Sequence, residues 1–383
     1  MPPPRQPVKP KTVRPKPVKP GSICRALEPW FLAAARPFPW RPLPIGHPHT
    51  ARDPWASLVS ELMLQQTQAA RVAERFEGFL RRFPTPAAMA SADEAEVLAA
   101  WSGLGFYRRA RLLHAAARAI VEQHGGEVPR EPKALLALPG VGRYTAGAIA
   151  SMVFDQPEPI VDGNVSRVLL RVHGRDGAAG ESQTDRWVWE RAHELVESAE
   201  SPAVLNEALM ELGATVCTPK AARCEDCPLR ALCVANREER VSEIPRPKKR
   251  ARVIPVWAAM VVHVDRRGRI LLEQRPSTGM WSNMWQTPTL ERADREPTAE
   301  EVLGFARADS VECVEEFTHQ TSHREVRFSV WKAKGMRAGR AGRADRVRAR
   351  ANELSKGDGT SGGFSLSNPQ RGMILRALEG RLP

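Results

Sequence analysis

The segment LPGVGRYTAG, residues 138–147, joins two apolar stretches with helical character, residues 134–138 and 146–154. Gly140 and Gly142 let the backbone bend sharply and expose its N–H groups, and the N-terminus of the following helix favours an anion. A P-loop is excluded because no Lys-Ser or Lys-Thr follows, and a dinucleotide fingerprint is excluded because position 145 is Thr. The segment therefore predicts either a helix-hairpin-helix that binds a nucleic-acid phosphate or an ordinary corner between two helices.

Helical periodicity extends on both sides of this hairpin, from residue 24 to about residue 236. Apolar side chains recur at three- and four-residue spacing over Leu58–Leu80, which predicts one or two amphipathic helices. The same pattern predicts further helices over Arg108–Gln123, Trp187–Val196 and Val204–Leu212. This part of the chain is therefore predicted to be mainly α.

The period changes beyond a stretch of basic residues and prolines at 245–255. Strands are predicted over Val256–Val264, Ile270–Glu273 and Val326–Trp331, which indicates a separate, smaller α/β domain. The predicted organisation is a disordered basic tail at 1–21, a helical domain at 22–236, a basic connector at 237–254 and the α/β domain at 255–383. Residues 335–363 are rich in Gly, Ala and Arg, and a mobile insertion is expected near 337–360.

The chain carries a net charge of +13, which favours a polyanion as partner, although a basic surface can also serve solubility alone. The sequence contains no apolar run of membrane-spanning length, and its first twenty residues are unlike a signal peptide. We therefore expect no membrane association and a cytoplasmic location, where cysteines are kept reduced.

Four of the six cysteines, Cys217, Cys224, Cys227 and Cys233, fall within 17 residues at the spacing C-x6-C-x2-C-x5-C. Four thiolates this close suit a tetrahedral zinc ion or an iron–sulfur cluster. Structural zinc sites usually pair two short C-x2–4-C units, and only one is present, which favours the cluster. The other two, Cys24 and Cys313, are expected to be small apolar side chains. The basic residues among the four cysteines predict a positively charged loop surface; they are Lys220, Arg223 and Arg230.

Two carboxylates are candidates for acid–base chemistry. Glu61 lies in an otherwise uncharged stretch, residues 58–67, so a buried Glu61 would keep its proton near neutral pH and could donate it. The alternative is a solvated Glu at the edge of an amphipathic helix. Asp162 is placed as a helix N-cap, where the helix dipole favours its ionised form. A protonated acid beside an ionised carboxylate is the pairing that glycosidic-bond cleavage requires.

In this order along the chain, SELMLQQTQ (60–68), GLGFY (103–107), LPGVGRYTAG (138–147), VDGNVSRV (161–168) and the four-cysteine loop resemble the MutY adenine glycosylases of the endonuclease III superfamily. The resemblance covers about residues 24–333. It implies a mainly α helix-hairpin-helix glycosylase domain with an iron–sulfur loop, followed by a smaller α/β Nudix-like domain. It also implies a [4Fe–4S] cluster on Cys217, Cys224, Cys227 and Cys233.

The resemblance further assigns roles to individual residues. It implies that Glu61 protonates adenine at N7 and later activates water, while Asp162 stabilises the oxocarbenium ion. Asn164 and Tyr144 match supporting positions near the reacting sugar. Related lyases carry a nucleophilic Lys at position 144, so a monofunctional hydrolase is expected. The residues implied to contact DNA or the lesion are Gln65, Gln66, Phe106, Tyr107, Gly140, Gly142, Ser322 and His323.

Within that set, Gln66 and Phe106 match residues that wedge into the duplex, and Ser322-His323 match a Phe-Ser-His loop that senses 8-oxoguanine. This chain departs from the family's pattern in having Thr321 in place of the Phe and Phe106 where a Tyr is usual. The partner implied is double-stranded DNA with an A:8-oxoG or A:G mispair, bound by a monomer. A sliding clamp is left open as a further partner.

Three other functions compete with this interpretation. The first two are an endonuclease III-like glycosylase for pyrimidines or mismatched thymine, and a non-catalytic DNA-binding protein with a cluster. The third is a Nudix pyrophosphatase, whose metal-binding helix needs G-x5-E-x7-R-E-x2-E-E. The nearest string, residues 295–301, has one residue too many and contains Pro297, which would break the helix.

Overall fold

The structure, a computed structural model, describes residues 18–41, 52–178, 180–247, 253–276, 278–282, 284–321, 324–336, 346–350, 353, 364 and 366–378. The chain divides into two compact units. Unit 1 consists of Met1–Leu58, Pro129–Ala137 and Val141–Lys248. Unit 2 consists of Val59–Val128, Leu138–Gly140 and Lys249–Pro383.

In chain order the helices are α1 (Pro20–Ala34), α2 (Pro54–Leu64), α3 (Ala69–Arg82), α4 (Pro86–Ala90), α5 (Glu94–Ala100), α6 (Arg108–His124), α7 (Pro132–Ala137), α8 (Arg143–Met152), α9 (Gly163–Val172), α10 (Ser182–Glu197), α11 (Pro202–Thr215), α12 (Val234–Arg237), α13 (Ala299–Ala306) and α14 (Asn368–Leu378). The strands are β1 (Ile254–Val262), β2 (Ile270–Gln274), β3 (Trp285–Gln286), β4 (Thr289–Arg292), β5 (Ser310–Gln320), β6 (Arg324–Lys334) and β7 (Arg346–Ala349). Within the described part of the chain, no helix is both long and apolar enough to cross a membrane.

The predicted helices are confirmed, with finer boundaries. The apolar periodicity over Leu58–Leu80 belongs to the end of α2 and to α3, and the Arg108–Gln123 pattern is α6. The patterns at 187–196 and 204–212 lie inside α10 and α11. The fold class is confirmed as well, since a helical region precedes a smaller α/β region.

The core of unit 1 forms where α1, α9, α10 and α11 bury their apolar faces. Phe31 of α1, Leu169 of α9 and Leu205 of α11 are fully buried. Burying one such side chain stabilises a fold by roughly 1.5–3 kcal/mol. The cluster therefore fixes α9, the helix that starts next to Asp162.

Unit 2 combines helices α3–α6 with two β-sheets from the C-terminal region. The larger sheet has the strand order β4–β1–β6–β5, with β1 parallel to β6 and antiparallel to β4. The smaller has the order β3–β2–β7, with β2 antiparallel to both neighbours. Because unit 2 draws on both regions of the chain, the predicted domain boundaries stay predictions.

Two local details add to what the sequence predicts. Arg346–Ala349, inside the expected mobile insertion, forms β7, because Val347 and Ala349 pack into the core of unit 2. The rest of residues 337–360 lies outside the described residues, apart from 350 and 353. Cys313 is exposed because it lies on β5, an edge strand of the larger sheet, whereas Cys24 is buried as expected.

The regions flanking the helical domain differ slightly from the prediction. Ile244 is buried in the core of unit 1, so the predicted connector at 237–254 is packed at least as far as this residue. α1 starts at Pro20, within the predicted tail, and residues 1–17 of that tail lie outside the described residues.

Candidate functional site

The hairpin at residues 138–142 connects α7 to α8, as a helix-hairpin-helix requires. Gly140 has a φ of 80°, and a Cβ built on it would lie 2.7 Å from Cβ of Leu112, so the fold itself demands a glycine there. Gly142 is different, because its backbone is extended and an added Cβ would meet nothing within 4 Å. The fold therefore leaves room for a side chain at position 142, where Gly142 is the N-cap of α8.

Asp162 of unit 1 is the N-cap of α9, as predicted. Its Oδ1 accepts hydrogen bonds from the backbone N–H groups of Asn164 at 2.8 Å and Val165 at 2.7 Å, and its Oδ2 accepts from Nδ2 of Asn164 at 2.8 Å. Three N–H donors and the positive end of a helix surround this half-buried carboxylate. The arrangement holds a negative charge at a fixed position, which suits stabilisation of a nearby cation.

Asn164 is itself held by Arg167, a residue that the sequence analysis did not single out. Nη2 of Arg167 donates to Oδ1 of Asn164 at 2.8 Å and to the carbonyl of Gly213 at 2.9 Å. Its Nε donates to the carbonyl of Cys217 at 2.7 Å. The buried Arg167 thus connects the start of α9 to the first residue of the cysteine loop.

Tyr144 lies in the first turn of α8, also in unit 1. Tyr144 packs against the buried cluster of Ala148, Met152 and Ile160, and its hydroxyl lies 3.4 Å from Sδ of Met210. A phenol in this position offers no amine, so Schiff-base chemistry is unavailable at residue 144.

The four-cysteine loop encloses a pocket at the end of α11. All four of Cys217, Cys224, Cys227 and Cys233 line it, together with apolar side chains such as Val172 and Leu212. The loop is shaped by two short 3-10 helices, Cys224–Asp226 and Arg230–Leu232. The predicted clustering of the four thiols in space is therefore present.

N–H groups point at several of these sulfurs. Nη1 of Arg171 lies 3.4 Å from Sγ of Cys217. Burial raises the pKa of the Cys227 thiol to about 11, while the Leu229 backbone N–H lowers it. Burial also raises the pKa of the Cys233 thiol, and the Asn236 backbone N–H opposes that effect. N–H donors around sulfur stabilise thiolate, the form that binds metal.

The four thiols that line this pocket supply the donor set of an iron–sulfur cluster. Among the described residues, no group of three or more His, Cys, Asp and Glu side chains is arranged to hold a metal ion. Thiolates around one zinc would all lie about 2.3 Å from it. A [4Fe–4S] cluster holds its four cysteines further apart, because each binds a different iron. Four soft donors around one pocket therefore have the chemistry that such a cluster requires.

The basic surface expected of this loop is weaker than the sequence indicated. Nη1 of Arg230 lies 2.6 Å from Oε2 of Glu225, and Nε of Arg223 lies 3.6 Å from Oδ2 of Asp226. Both acidic residues come from the same loop and neutralise part of its positive charge. Lys220 is exposed.

Glu61 of unit 2 lies on α2 and is 5% exposed. Its neighbours along the helix, Ser60, Leu62 and Met63, are buried as well. The alternative of a solvated glutamate at a helix edge is therefore wrong. Burial favours the neutral form of a carboxyl group, which is the form that can donate a proton.

Four of the predicted DNA-contacting residues of unit 2 lie in two short loops. Gln65 and Gln66 follow α2, and Phe106 and Tyr107 precede α6. Gln66 has a φ of 57° and Phe106 a φ of 47°, and both side chains are exposed. Tyr107 is half-buried, and burial raises its pKa.

In the C-terminal region, the string nearest to the Nudix metal-binding motif, residues 295–301, contains Glu301. Glu301 completes a capping box with Thr298 and accepts hydrogen bonds from Arg295 at 2.8 and 2.9 Å. The Arg295 hydrogen bond, helped by the Thr298 backbone N–H, lowers the pKa of Glu301 to about 2. This carboxylate is thus engaged by protein groups. The predicted lesion-sensing residues Ser322 and His323 lie outside the described residues.

Comparison with known proteins gives two family matches. Residues 59–194 match the model of the HhH-GPD superfamily of base excision DNA repair proteins, and residues 258–357 match a NUDIX domain model. An adenine DNA glycosylase of Rattus norvegicus is 38% identical over 310 residues, 70% of this chain and 60% of that protein. The adenine DNA glycosylase of Buchnera aphidicola is 32% identical over 233 residues, 61% of this chain and 67% of that protein.

The chain thus spans about three fifths of the length of its mammalian relatives from rat and mouse. Among solved structures, a thermostable thymine-DNA glycosylase superposes with a TM-score of 0.50 at 27% identity. That match covers 57% of this chain and 97% of the thymine-DNA glycosylase.

Proposed function

Because this chain belongs to the adenine DNA glycosylase family, we propose that it hydrolyses the N-glycosidic bond of adenine mispaired with 8-oxoguanine or guanine in double-stranded DNA. The observation that carries the proposal is the burial of Glu61, a carboxyl group on α2 that is only 5% exposed. A buried carboxylic acid can serve as a proton donor in catalysis. The family supplies the substrate on which such an acid would act.

The reaction divides between the two carboxylates. Glu61 transfers its proton to N7 of adenine, so the base departs with the electron pair of the C1′–N9 bond. The resulting oxocarbenium ion is stabilised by the ionised Asp162, which three N–H donors keep in place. Water then attacks C1′ and gives its proton to the carboxylate of Glu61. The products are adenine and an abasic site.

Tyr144 limits the chemistry to hydrolysis. A glycosylase/lyase needs an amine that attacks C1′ and forms a Schiff base, and a phenol cannot do so. We therefore propose a monofunctional enzyme with Asn164 and Tyr144 in supporting roles beside the sugar. Strand cleavage should be weak or absent.

Access to the C1′–N9 bond requires that the adenosine leave the base stack. Backbone N–H groups at the hairpin, near Gly140 and Gly142, are proposed to hold a phosphate without reading sequence. The exposed Gln66 and Phe106 are proposed to fill the space that distortion of the duplex opens. Gln65 and Tyr107 are proposed DNA contacts at the same two loops, and Ser322 and His323 are proposed to contact 8-oxoguanine.

The cysteine loop is proposed to hold a [4Fe–4S] cluster through Cys217, Cys224, Cys227 and Cys233. Bound there, the cluster would cross-link the loop through four iron–sulfur bonds, and no step of the hydrolysis is assigned to it. Metal analysis of protein purified without oxygen should find iron and sulfide. Zinc instead would contradict the assignment.

The decisive experiment is single-turnover base release from four duplexes containing A:8-oxoG, A:G, T:G or thymine glycol. We expect release from the two adenine mispairs. Glu61→Gln should lower the rate about 10²–10⁴-fold while duplex binding survives. Glu74→Gln, at an exposed glutamate of α3, is the matched control and should leave the rate unchanged.

Removal of mismatched thymine is the second candidate, because a thymine-DNA glycosylase superposes on more than half of this chain. Preference for T:G over both adenine mispairs would favour it. Binding without release from any of the four duplexes would favour a non-catalytic DNA-binding protein. A monomeric state, a cytoplasmic location and a sliding-clamp partner stay predictions.

A further inference from the structure

Arg109, the second residue of α6, is buried in unit 2 with 6% of its surface exposed. Its Nη1 donates to the backbone carbonyls of Leu62 at 2.9 Å and Met63 at 2.6 Å, and to the carbonyl of Gln65. These carbonyls belong to the C-terminal end of α2 and the residue after it. Carbonyls at a helix end lack partners within the helix, and a cation there also complements the helix dipole.

The other nitrogen of the same guanidinium reaches a second loop. Nη2 of Arg109 donates to the carbonyls of Leu104 at 3.2 Å and Gly105 at 3.4 Å. It also donates to Oγ1 of Thr67 at 2.8 Å. One side chain therefore joins the loop at 65–67 to the loop at 104–106.

Each of these loops presents one exposed side chain from a left-handed backbone conformation. Gln66 has a φ of 57° and Phe106 a φ of 47°, and Phe106 is 48% exposed. A non-glycine residue in this region is strained and persists only when its surroundings enforce it. The ring of Phe106 lies 5.2 Å from Cζ of Arg109, and Trp101 approaches the same guanidinium at 5.4 Å.

We propose that Arg109 is a positioning residue that fixes Gln66 and Phe106 relative to each other, so that both enter a distorted duplex as a preformed pair. The inference rests on the proposed function, because it presumes a DNA duplex as partner. Arg109 touches no DNA in this scheme and acts only through the two loops. Its hydrogen bonds are made before DNA binds, so the cost of ordering the loops does not fall on the binding step.

The chemistry of the contact requires arginine. The guanidinium presents five N–H donors in one plane, and two of its nitrogens reach six acceptors at the end of α2 and in the two loops. Lysine keeps the charge but offers three donors on one atom, which cannot reach both loops at once. Burial lowers the pKa of Arg109 to about 10, so the group remains charged at neutral pH.

The test compares Arg109→Lys with Arg118→Lys, a control at an exposed arginine of the same helix. Three quantities are measured: thermal unfolding, affinity for an undamaged duplex, and fluorescence of 2-aminopurine placed beside an A:8-oxoG pair, which reports unstacking. We expect Arg109→Lys to lower the unstacking signal and the single-turnover rate about 10–100-fold. Affinity for the undamaged duplex should change less than threefold, because phosphate contacts supply it.

A double-mutant cycle separates positioning from general stability. If Arg109 acts through the two loops, Arg109→Lys should have little further effect on the rate in a Gln66→Ala, Phe106→Ala background. If the rate losses of Arg109→Lys and of the Gln66→Ala, Phe106→Ala background instead multiply in the combined variant, the inference is overturned while the proposed function is left intact. A wild-type protein that releases no base from any mispair would instead overturn the proposed function.

A milder variant covers the case in which Arg109→Lys does not fold. Thr67→Val removes one acceptor of the guanidinium and changes the shape of the side chain little. We expect a two- to fivefold loss of unstacking and rate at unchanged affinity for the undamaged duplex. Wild-type unstacking and rate in Thr67→Val would count against the inference.

Discussion

Arg167 in unit 1 and Arg109 in unit 2 both fix other residues through hydrogen bonds, but the residues that they fix are of different kinds. Both are buried, both lie within the first two turns of a helix, and both donate mainly to backbone carbonyls outside their own helix. The residues around Arg167, Asp162 and Asn164, have ordinary N-cap and helical conformations with their polar atoms hydrogen-bonded. Those around Arg109, by contrast, include two exposed side chains in left-handed conformations.

The difference matches what each group is proposed to do. A residue that stabilises charge works best when its hydrogen bonds are complete before substrate binds, because no reorganisation is then needed. A residue that enters a duplex must be exposed before the duplex binds. Its exposed side chain has few contacts of its own, so its backbone must be fixed by hydrogen bonds from the protein interior. The first kind of group is supported by hydrogen bonds to its own atoms, the second by hydrogen bonds to the loop that carries it.

The largest effect that separates the two regions is expected from Asp162→Asn. Asn is about as good an N-cap as Asp, so α9 should keep its cap and stability should change by less than about 1 kcal/mol. The lost negative charge should lower single-turnover adenine release about 10²–10³-fold. Urea unfolding and base release measured on the same preparation check both parts.

Ser201→Ala provides the matched control, because Ser201 caps α11 through a hydrogen bond from the Val204 backbone N–H. This variant should lose about 1 kcal/mol of stability and keep its rate. An Asp162→Asn protein with a wild-type rate would show that the residue is only a cap.

A smaller loss of activity, with a larger loss of stability, is expected from Arg167→Met. The change leaves the carbonyls of Cys217 and Gly213 without their donor, and buried acceptors left unpaired cost about 1–3 kcal/mol each. Stability should fall by about 2–4 kcal/mol, and base release about tenfold, because Asn164 also loses a partner. Chemical denaturation and single-turnover kinetics check this.

The exposed Arg186 of α10 gives a control for the loss of one positive charge. Arg186→Met should retain stability and rate. If Arg167→Met lost stability but kept the wild-type rate at a temperature where it is folded, Arg167 would support the loop without positioning Asn164.

The carboxylates, the hairpin and the cysteines could be predicted from the sequence because each stands out in a pattern of neighbouring residues. Glu61 is the one charge in an uncharged stretch, Asp162 stands before a helix, and four cysteines fall within 17 residues. The helices were predictable for the same reason, since periodicity is local. Strand β7 was missed because four residues with two apolar positions carry too weak a pattern.

The two arginines stand out in no such pattern. Arg109 is one of 57 Lys and Arg residues, and its partner Leu62 is 47 positions away. Arg167 and Cys217 are 50 positions apart. Their acceptors are backbone carbonyls, which every residue possesses, so no residue type at the other end reveals the contact. Only the folded chain identifies these residues.

The smallest effect is expected at the hairpin, where the same substitution at two glycines should have opposite consequences. Gly140→Ser should lower the free energy of unfolding by about 1–3 kcal/mol, because position 140 has a positive φ and a Cβ there would clash with Leu112.

Gly142→Ser should retain or raise stability, because position 142 is the N-cap of α8 and Ser is a better N-cap than Gly. The new hydroxyl would accept hydrogen bonds from the N–H groups that are proposed to hold a DNA phosphate. Because those groups would no longer be available to the phosphate, affinity for any duplex should fall about three- to tenfold. Thermal unfolding and fluorescence anisotropy of a labelled duplex at fixed salt measure both quantities. Unchanged affinity in Gly142→Ser would mean that the hairpin is only a corner between helices, which is the interpretation that the sequence left open.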